Sequence, residues 1–228
     1  MAITGGSLLA LWNDHADLDY DFWHTREHVG ERLGVPGFRR VRRYTSGDGP
    51  LPSYFTIYEL DDVEVLESAP YRQLLANPTP WSAAMRPGMH NFLRRGCRTV
   101  VGAGGGTGGL LAACLFRLAA DDAEAAWIVT KAAALQPFSA MSLGRIVASV
   151  SQVSFAGDEP EIASGTDAVL LVEGYDERTF RPGLAVLSER LQASGLSNAP
   201  LAFTVYRLAF ALSAEEWLAM LPVTSGSA

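Results

Sequence analysis

This chain of 228 residues has few of the groups that staple, anchor or charge a protein. Its two cysteines, Cys97 and Cys114, stand far apart in separate strand-like segments, which excludes a disulfide framework and a cysteine-based metal site. No apolar run reaches the ~18 residues of a membrane span. The first apolar stretch, Leu8 to Trp12, is too short for a secretory signal and has no basic leader. A cytoplasmic protein without a membrane partner is therefore expected. Positive charge is also short: a net charge of −7 argues against an unaided grip on phosphate backbones, so no nucleic-acid partner is expected. The glycine run at 102–109 lacks a following Gly-Lys-Ser/Thr and opens no helix, which argues against a phosphate loop.

Apolar residues, by contrast, make up 48% of the chain, enough for one large core or two small ones. The one dense basic segment is Arg39, Arg40, Arg42 and Arg43, followed by Tyr44. A strand would send these arginines alternately to two faces. One of them, Arg43, is a candidate for a pocket, where its planar fork could bind a carboxylate or phenolate.

Glycine divides the chain. Gly102 to Gly109 should neither hold a helix nor anchor a strand, and reads as a linker between residues 1–101 and 110–228. The first half reads as strand 7–12, helix 19–33, strand 38–44, strand 54–60, helix 71–75 and 81–85, and strand 98–101. Asp17 or Asp19 can cap the first helix, and Val35-Pro36-Gly37 stops it. The second half reads as strand 110–118, helix 122–134, strands 144–153 and 168–174, helix 182–193, and strand 202–210. Both halves thus have the order βαββαβ, with Trp127 placed in its helix as Trp23 is, and Thr204-Val205 matching Thr99-Val100. The expected fold class is α+β: two tandem ferredoxin-like repeats packed sheet to sheet within one chain. Strands apolar on both faces, with Leu9, Leu11, Phe55, Ile57, Leu111, Leu170 and Val172, require that second face to be buried. A sheet-lined interior would then be a natural small-molecule pocket.

Histidine is scarce too, and half of the four meet in one place. His24 and His28 stand four apart in Trp23-His24-Thr25-Arg26-Glu27-His28, on one helical face. Imidazole carries protons near neutral pH, so His28 is the candidate general acid or base, with Glu27 or Glu31 tuning it. A uniform 100° step places the apolar stripe on Leu18, Phe22, Val29 and Leu33, with His28 roughly 120° from its centre, which favours an exposed ring. The segment also fits the H-x-x-E-H pattern of zinc peptidases, but no third ligand is visible, and no metal site is assigned. His90, before the last strand of the first half, could reach the same mouth. Trp12, Trp23, Tyr58 and Trp81 are candidate aromatic walls. Haem ligation by His28 or His90 is an alternative. His15 has no evident partner.

Phe22-Trp23-His24-Thr25-Arg26-Glu27-His28, then Leu33-Gly34-Val35-Pro36-Gly37-Phe38 and Arg42-Arg43-Tyr44, resembles the EthD-like branch of the dimeric α/β-barrel superfamily. Tyr58-Glu59-Leu60, Tyr71-Arg72-Gln73-Leu74-Leu75 and Asn77-Pro78-Thr79-Pro80-Trp81 add to the likeness, which covers residues 7 to 101. The resemblance implies a small enzyme with no bound organic cofactor, acting on hydrophobic, often aromatic or polyketide-like compounds. His28 matches the histidine of the family's helix, whereas His24 departs from the pattern. About Ala132 occupies the matching position in the second half, so one site per chain is expected. The expected activity is proton transfer by His28 in a dehydration, cyclisation or isomerisation. Arg43 or Tyr58 would stabilise an enolate or phenolate, with Trp12, Trp23, His24, Trp81 and His90 around the substrate. The alternatives are a cofactor-free monooxygenase, a haem or metal-binding barrel, and a non-catalytic small-molecule binder. Association into a homodimer of such pseudo-dimeric chains is compatible with all of them.

Overall fold

A computed structural model describes residues 3, 5–151 and 164–221. Eight antiparallel strands close into one barrel, in the order β1-β3-β2-β8-β5-β7-β6-β4. They are β1 (Ser7–His15), β2 (Phe38–Asp48), β3 (Tyr54–Leu60), β4 (Met89–Gly104), β5 (Leu110–Phe116), β6 (Phe138–Ile146), β7 (Ala168–Gly174) and β8 (Thr204–Ser213). The halves do more than press face to face. Hydrogen-bonded ladders join β2 to β8 (Val41 opposite Leu212) and β4 to β6 (Cys97 opposite Ile146), so neither half keeps a free sheet edge.

Helices cover the outside. α1 has three pieces: α-helical Tyr20–Trp23 and Val29–Leu33 flank a π-helical turn, His24–His28. After β3 come α2 (Ala69–Ala76) and α3 (Pro80–Met85), capped by the Ser68 and Thr79 hydroxyls. The second half carries α4 (Asp122–Ala133), α5 (Ala148–Ser151), α6 (Glu177–Ala193) and a final α7 (Ala214–Met220).

Alternation along the strands sorts side chains into two layers. From β1, Leu8, Ala10 and Trp12 point into the barrel, where Phe55, Ile57, Leu111, Ala113, Val169, Leu171 and Tyr206 meet them. Leu9 points out, under α1 and α2, with Val29, Leu33, Val41, Tyr58 and Tyr71. The barrel interior is therefore packed core, not the open sheet-lined chamber expected from sequence. One end of it is charged. The Arg42 guanidinium lies between Glu59 (3.3 Å) and Glu173 and reaches the Tyr44 hydroxyl at 3.0 Å, while the Gly108 N–H donates to Glu173 at 2.8 Å. All three charged side chains are buried.

Several boundaries differ from the sequence reading, each for a local reason. β4 begins at Met89 rather than 98 and runs into the start of the glycine segment, ending at Gly104, where Gly102 and Gly104 pair with Ser142 and Ala140. Glycine weakens a strand but does not forbid one when a partner is already in register. The strand expected at 144–153 lies at Phe138–Ile146 and is followed by α5; positions 152–153 fall outside the described residues. α6 starts at Glu177, with Asp176 as cap, and accommodates Pro182 inside it. Asp19 heads α1 with no side-chain cap. Trp23 and Trp127, matched by position, differ in surroundings: Trp23 is buried and Trp127 exposed.

Candidate functional site

The π-turn decides what α1 shows to the sheet. His24 and Val29 are five residues apart, and both are buried, as one wide turn allows. The buried face runs Tyr20, Trp23, His24, Val29, Arg32 and Leu33, while Leu18 and Phe22, expected on the apolar stripe, are exposed. His28, expected outside, is turned inward, and its side chain is 13% exposed. The reason is that a uniform 100° step fails across a π-turn.

His28 lines a small cavity between α1, α2, α3 and strands β1 and β4. Its apolar walls come from Trp23, Met89 and Phe92, and its polar ones from Arg32, Tyr71, Arg86 and Arg94. The volume is about 40 Å³, room for about three water-sized atoms. The His28 ring lies 4.5 Å from that of Trp23 and 5.0 Å from that of His24. Burial, then the charges of Arg43 and Arg32, holds His24 well below the ordinary histidine value. For His28 the causes are burial, Arg32, the His24 ring and Arg86, acting in the same direction. Both rings are thus neutral at pH 7. Nδ1 of each has no hydrogen-bond partner among the described residues, the nearest carboxylate oxygen to His28 being Glu31 Oε2 at 3.9 Å.

Three arginines hold the cavity's rim and floor. The Arg32 and Arg94 guanidiniums lie over the Tyr71 ring, 5.8 and 5.9 Å from its centroid. Arg94 also donates to the Val150 carbonyl and to the Tyr71 hydroxyl (3.4 Å), and Arg86 donates to the Leu75 carbonyl at 3.2 Å. Sequence reasoning missed Arg32, Arg86 and Arg94, which come from three separate elements. Their one signal was arginine in segments otherwise rich in buried apolar residues.

The other expected site residues lie elsewhere. Trp12 is inside the barrel, stacked on Phe55 at 4.5 Å, on the opposite face of the sheet from the cavity. Arg43 sits under α1 on the helix side, paired with Asp21 at 2.7 Å and donating to Thr25 at 3.1 Å. The arginine fork held by carboxylates inside the barrel belongs to Arg42 instead. Tyr58 is buried against Phe38, its hydroxyl unpartnered and its pKa raised by burial, but it does not line the cavity. Trp81 is half-buried against Phe22, and His90 is exposed. His15 ties β1 to the end of α3: its Nε2 meets the Met85 carbonyl at 3.1 Å, and its Nδ1 accepts from the Asp17 N–H.

Glu27, the carboxylate of the H-x-x-E-H pattern, faces α3. It accepts from Thr79 (2.6 Å), Ser82 (3.2 Å) and the Trp23 indole (3.2 Å), so it clamps two helices and holds Trp23 in place. Among the described residues no three His, Cys, Asp or Glu side chains converge as a metal set. A haem needs several times the space beside His28, since organic ligand pockets run to about 300–1,000 Å³. What the arrangement can do chemically is accept a proton on a neutral imidazole and hold negative charge on guanidiniums nearby.

No protein-family model matches this chain, and no curated protein matches its sequence. Solved structures do. An anthrone oxidase-like protein superposes with a TM-score of 0.62 at 10% identity, covering 97% of this chain and 99% of its own. A protein named "Putative monooxygenase" from Fusobacterium nucleatum subsp. nucleatum gives 0.53 at 9% identity, over 92% and 95% of the two chains. Another of that name from Lactobacillus acidophilus NCFM gives 0.51 at 10% identity, over 92% and 97%. At such identities the likeness is one of fold, which in this chain is a closed eight-stranded antiparallel barrel with helices outside.

Proposed function

We propose that this chain is a cofactor-independent enzyme acting on a small aromatic, enolisable compound, with His28 as the base that removes a proton. The observation that carries this reading is the neutral His28 ring on an aromatic-walled cavity whose remaining polar groups are arginines and a tyrosine. Deprotonation of a ring C–H leaves charge on the neighbouring carbonyl oxygen as an enolate, and guanidiniums aimed there stabilise it. A ring is larger than the cavity, so binding displaces the partly exposed side chains of Leu75 and Arg86 at its edge. His24, behind His28, keeps that ring in an apolar, neutral environment. Arg43 and Tyr58 act at a distance, through the position of α1 and the sheet beneath it.

Two fates of the enolate fit this equipment. Reprotonation at another carbon would give isomerisation, and expulsion of a β-hydroxyl group, protonated as it leaves as water, would give dehydration. Reaction with dioxygen would give a hydroperoxide that loses water, so that a CH₂ becomes C=O while O₂ supplies the oxidising equivalents. The names of the neighbouring structures favour the second. The repeated strand order, β4-β1-β3-β2 and β8-β5-β7-β6, supports descent from a duplicated βαββαβ unit.

The test is turnover of anthrone, with oxygen uptake recorded by electrode. Wild-type protein should consume oxygen and His28→Ala should lose about a hundred-fold or more in kcat, the usual worth of a positioned base. Unchanged turnover in the variant would refute His28 as the base, and turnover without oxygen uptake would select isomerisation.

A further inference from the structure

A base that takes a proton inside a small cavity must also pass it on. The mouth of the His28 cavity lies at the partly exposed Leu75 and Arg86, where the ring of the substrate enters, so bound substrate closes that way to solvent. The other side of α1 is open. There α1, α2 and α7 border a groove of about 740 Å³, with Gln73, Leu74 and Trp217 among its walls. Glu31 belongs to that groove and also approaches the base. Its side chain is 15% exposed, and Oε2 stands 3.9 Å from His28 Nδ1, one small rotation or one bridging water from a hydrogen bond. The Ser82 hydroxyl steadies the same oxygen from 3.3 Å. His28 Nδ1 is buried with no hydrogen-bond partner, whereas Glu27, the neighbouring carboxylate on α1, is taken up by Thr79, Ser82 and the Trp23 indole.

We infer that Glu31 is the proton relay of this site, carrying the proton that His28 takes from substrate out to the groove between α1, α2 and α7. The inference rests on the proposed function for the role of His28 as base, and adds the route by which that base is reset. The resting ring carries its proton on Nδ1, the nitrogen beside the carboxylate, and leaves the Nε2 lone pair for the substrate C–H. Once Nε2 holds the substrate's proton, Nδ1 gives its own to Glu31 Oε2, and the acid so formed exchanges with water in the groove. The return runs in reverse. Nε2 protonates the peroxide oxygen formed from dioxygen, or the carbon that receives the proton in isomerisation, and Glu31 restores the Nδ1 proton. No net proton is gained or lost. Burial depresses His28, with Arg32, His24 and Arg86 adding to it; burial also raises Glu31 above its ordinary value, opposed by Arg32, Ser82 and Arg86 and reinforced by Glu27. The two proton affinities thereby approach each other, which favours transfer in both directions.

Deuterium washout from the methylene group of anthrone, followed by proton NMR in anaerobic heavy water, reads the relay without the oxygen step. Wild-type protein should exchange it faster than buffer alone. Glu31→Gln should lower that enzymatic rate about ten-fold or more while anthrone binding, measured by fluorescence titration, is unchanged. Glu31→Ala should be slow in the same way, and formate, small enough to enter the groove, should restore its exchange with saturation, a repair that a merely structural role would not allow. Nitrogen-15 NMR of the substrate-free protein, which needs no variant, should place the His28 proton on Nδ1. A Gln variant that exchanges at the wild-type rate, an Ala variant that formate does not repair, or an Nε2–H ring in the resting protein would overturn the inference. The parent reading fails separately. Washout absent in wild type, or undiminished in His28→Ala, removes the base, whereas washout that depends on His28 but not on Glu31 removes the relay alone.

Discussion

His24 and His28 are buried without hydrogen-bond partners on Nδ1, so each resists protonation in the folded state and accepts a proton freely once unfolded. The unfolded chain therefore binds more protons below about pH 6.5, and stability falls as pH drops from that value toward the depressed folded values. Urea melts between pH 7.5 and 5 should lose up to about 1.4 kcal/mol per pH unit for each ring over that window, and His24→Phe should flatten the slope. An unchanged slope in that variant would place the acid sensitivity elsewhere. Arg42 provides a second test. Arg42→Met leaves Glu59 and Glu173 facing each other inside the barrel, and should cost about 3–5 kcal/mol in chemical denaturation at pH 7, with part recovered at acidic pH as a carboxylate takes up a proton. His28 was legible from its spacing to His24 and its chemistry. The arginines around it were not, because Arg32, Arg86 and Arg94 meet only when α1, the end of α3 and β4 come together.

α1 shows what an irregular element does to pattern reading. Its boundaries could be read from Asp19 and the Val35-Pro36-Gly37 turn, but one wide turn re-aims every side chain around it, exposing Phe22 and burying His24. α7 locks this arrangement from outside. The Trp217 ring lies against Gly30, and a Cβ added there would stand 2.6 Å from it. Gly30→Ala should thus push α7 off α1, with a loss of about 1–3 kcal/mol by overpacking and a shift in tryptophan fluorescence. Adding Trp217→Ala should make the glycine substitution nearly neutral, and an undiminished penalty in the double variant would mean that the contact is not its cause. α7 went unread in the sequence because Ser213 and Glu216, its capping box, follow a strand without a break.

Closure of the barrel makes the two halves one cooperative unit. Its interior mixes Leu8, Trp12, Phe55 and Ile57 from the first half with Leu111, Val169, Leu171 and Tyr206 from the second, so neither can bury its inner face alone. Leu111→Ala should destabilise the whole molecule by about 2–5 kcal/mol, and the changes in far-ultraviolet dichroism and in the fluorescence of Trp12 and its neighbours should coincide in one transition. Two separated transitions would mean independently folding halves. No helix among the described residues is long and apolar enough to cross a membrane.

Local alternation and turn chemistry determined most of the elements and their order, though not α5 or α7, because a strand with apolar residues on both faces or a helix ended by Pro-Gly is a property of neighbouring residues. Which face of the sheet would become solid core and which would hold the cavity was decided only in three dimensions. Edge ladders between β2 and β8 and between β4 and β6 drew the inner faces into a filled barrel, and the π-turn carried His28 under the helix toward arginines remote in sequence. Such contacts join residues tens of positions apart, and no local pattern of hydrophobicity encodes them.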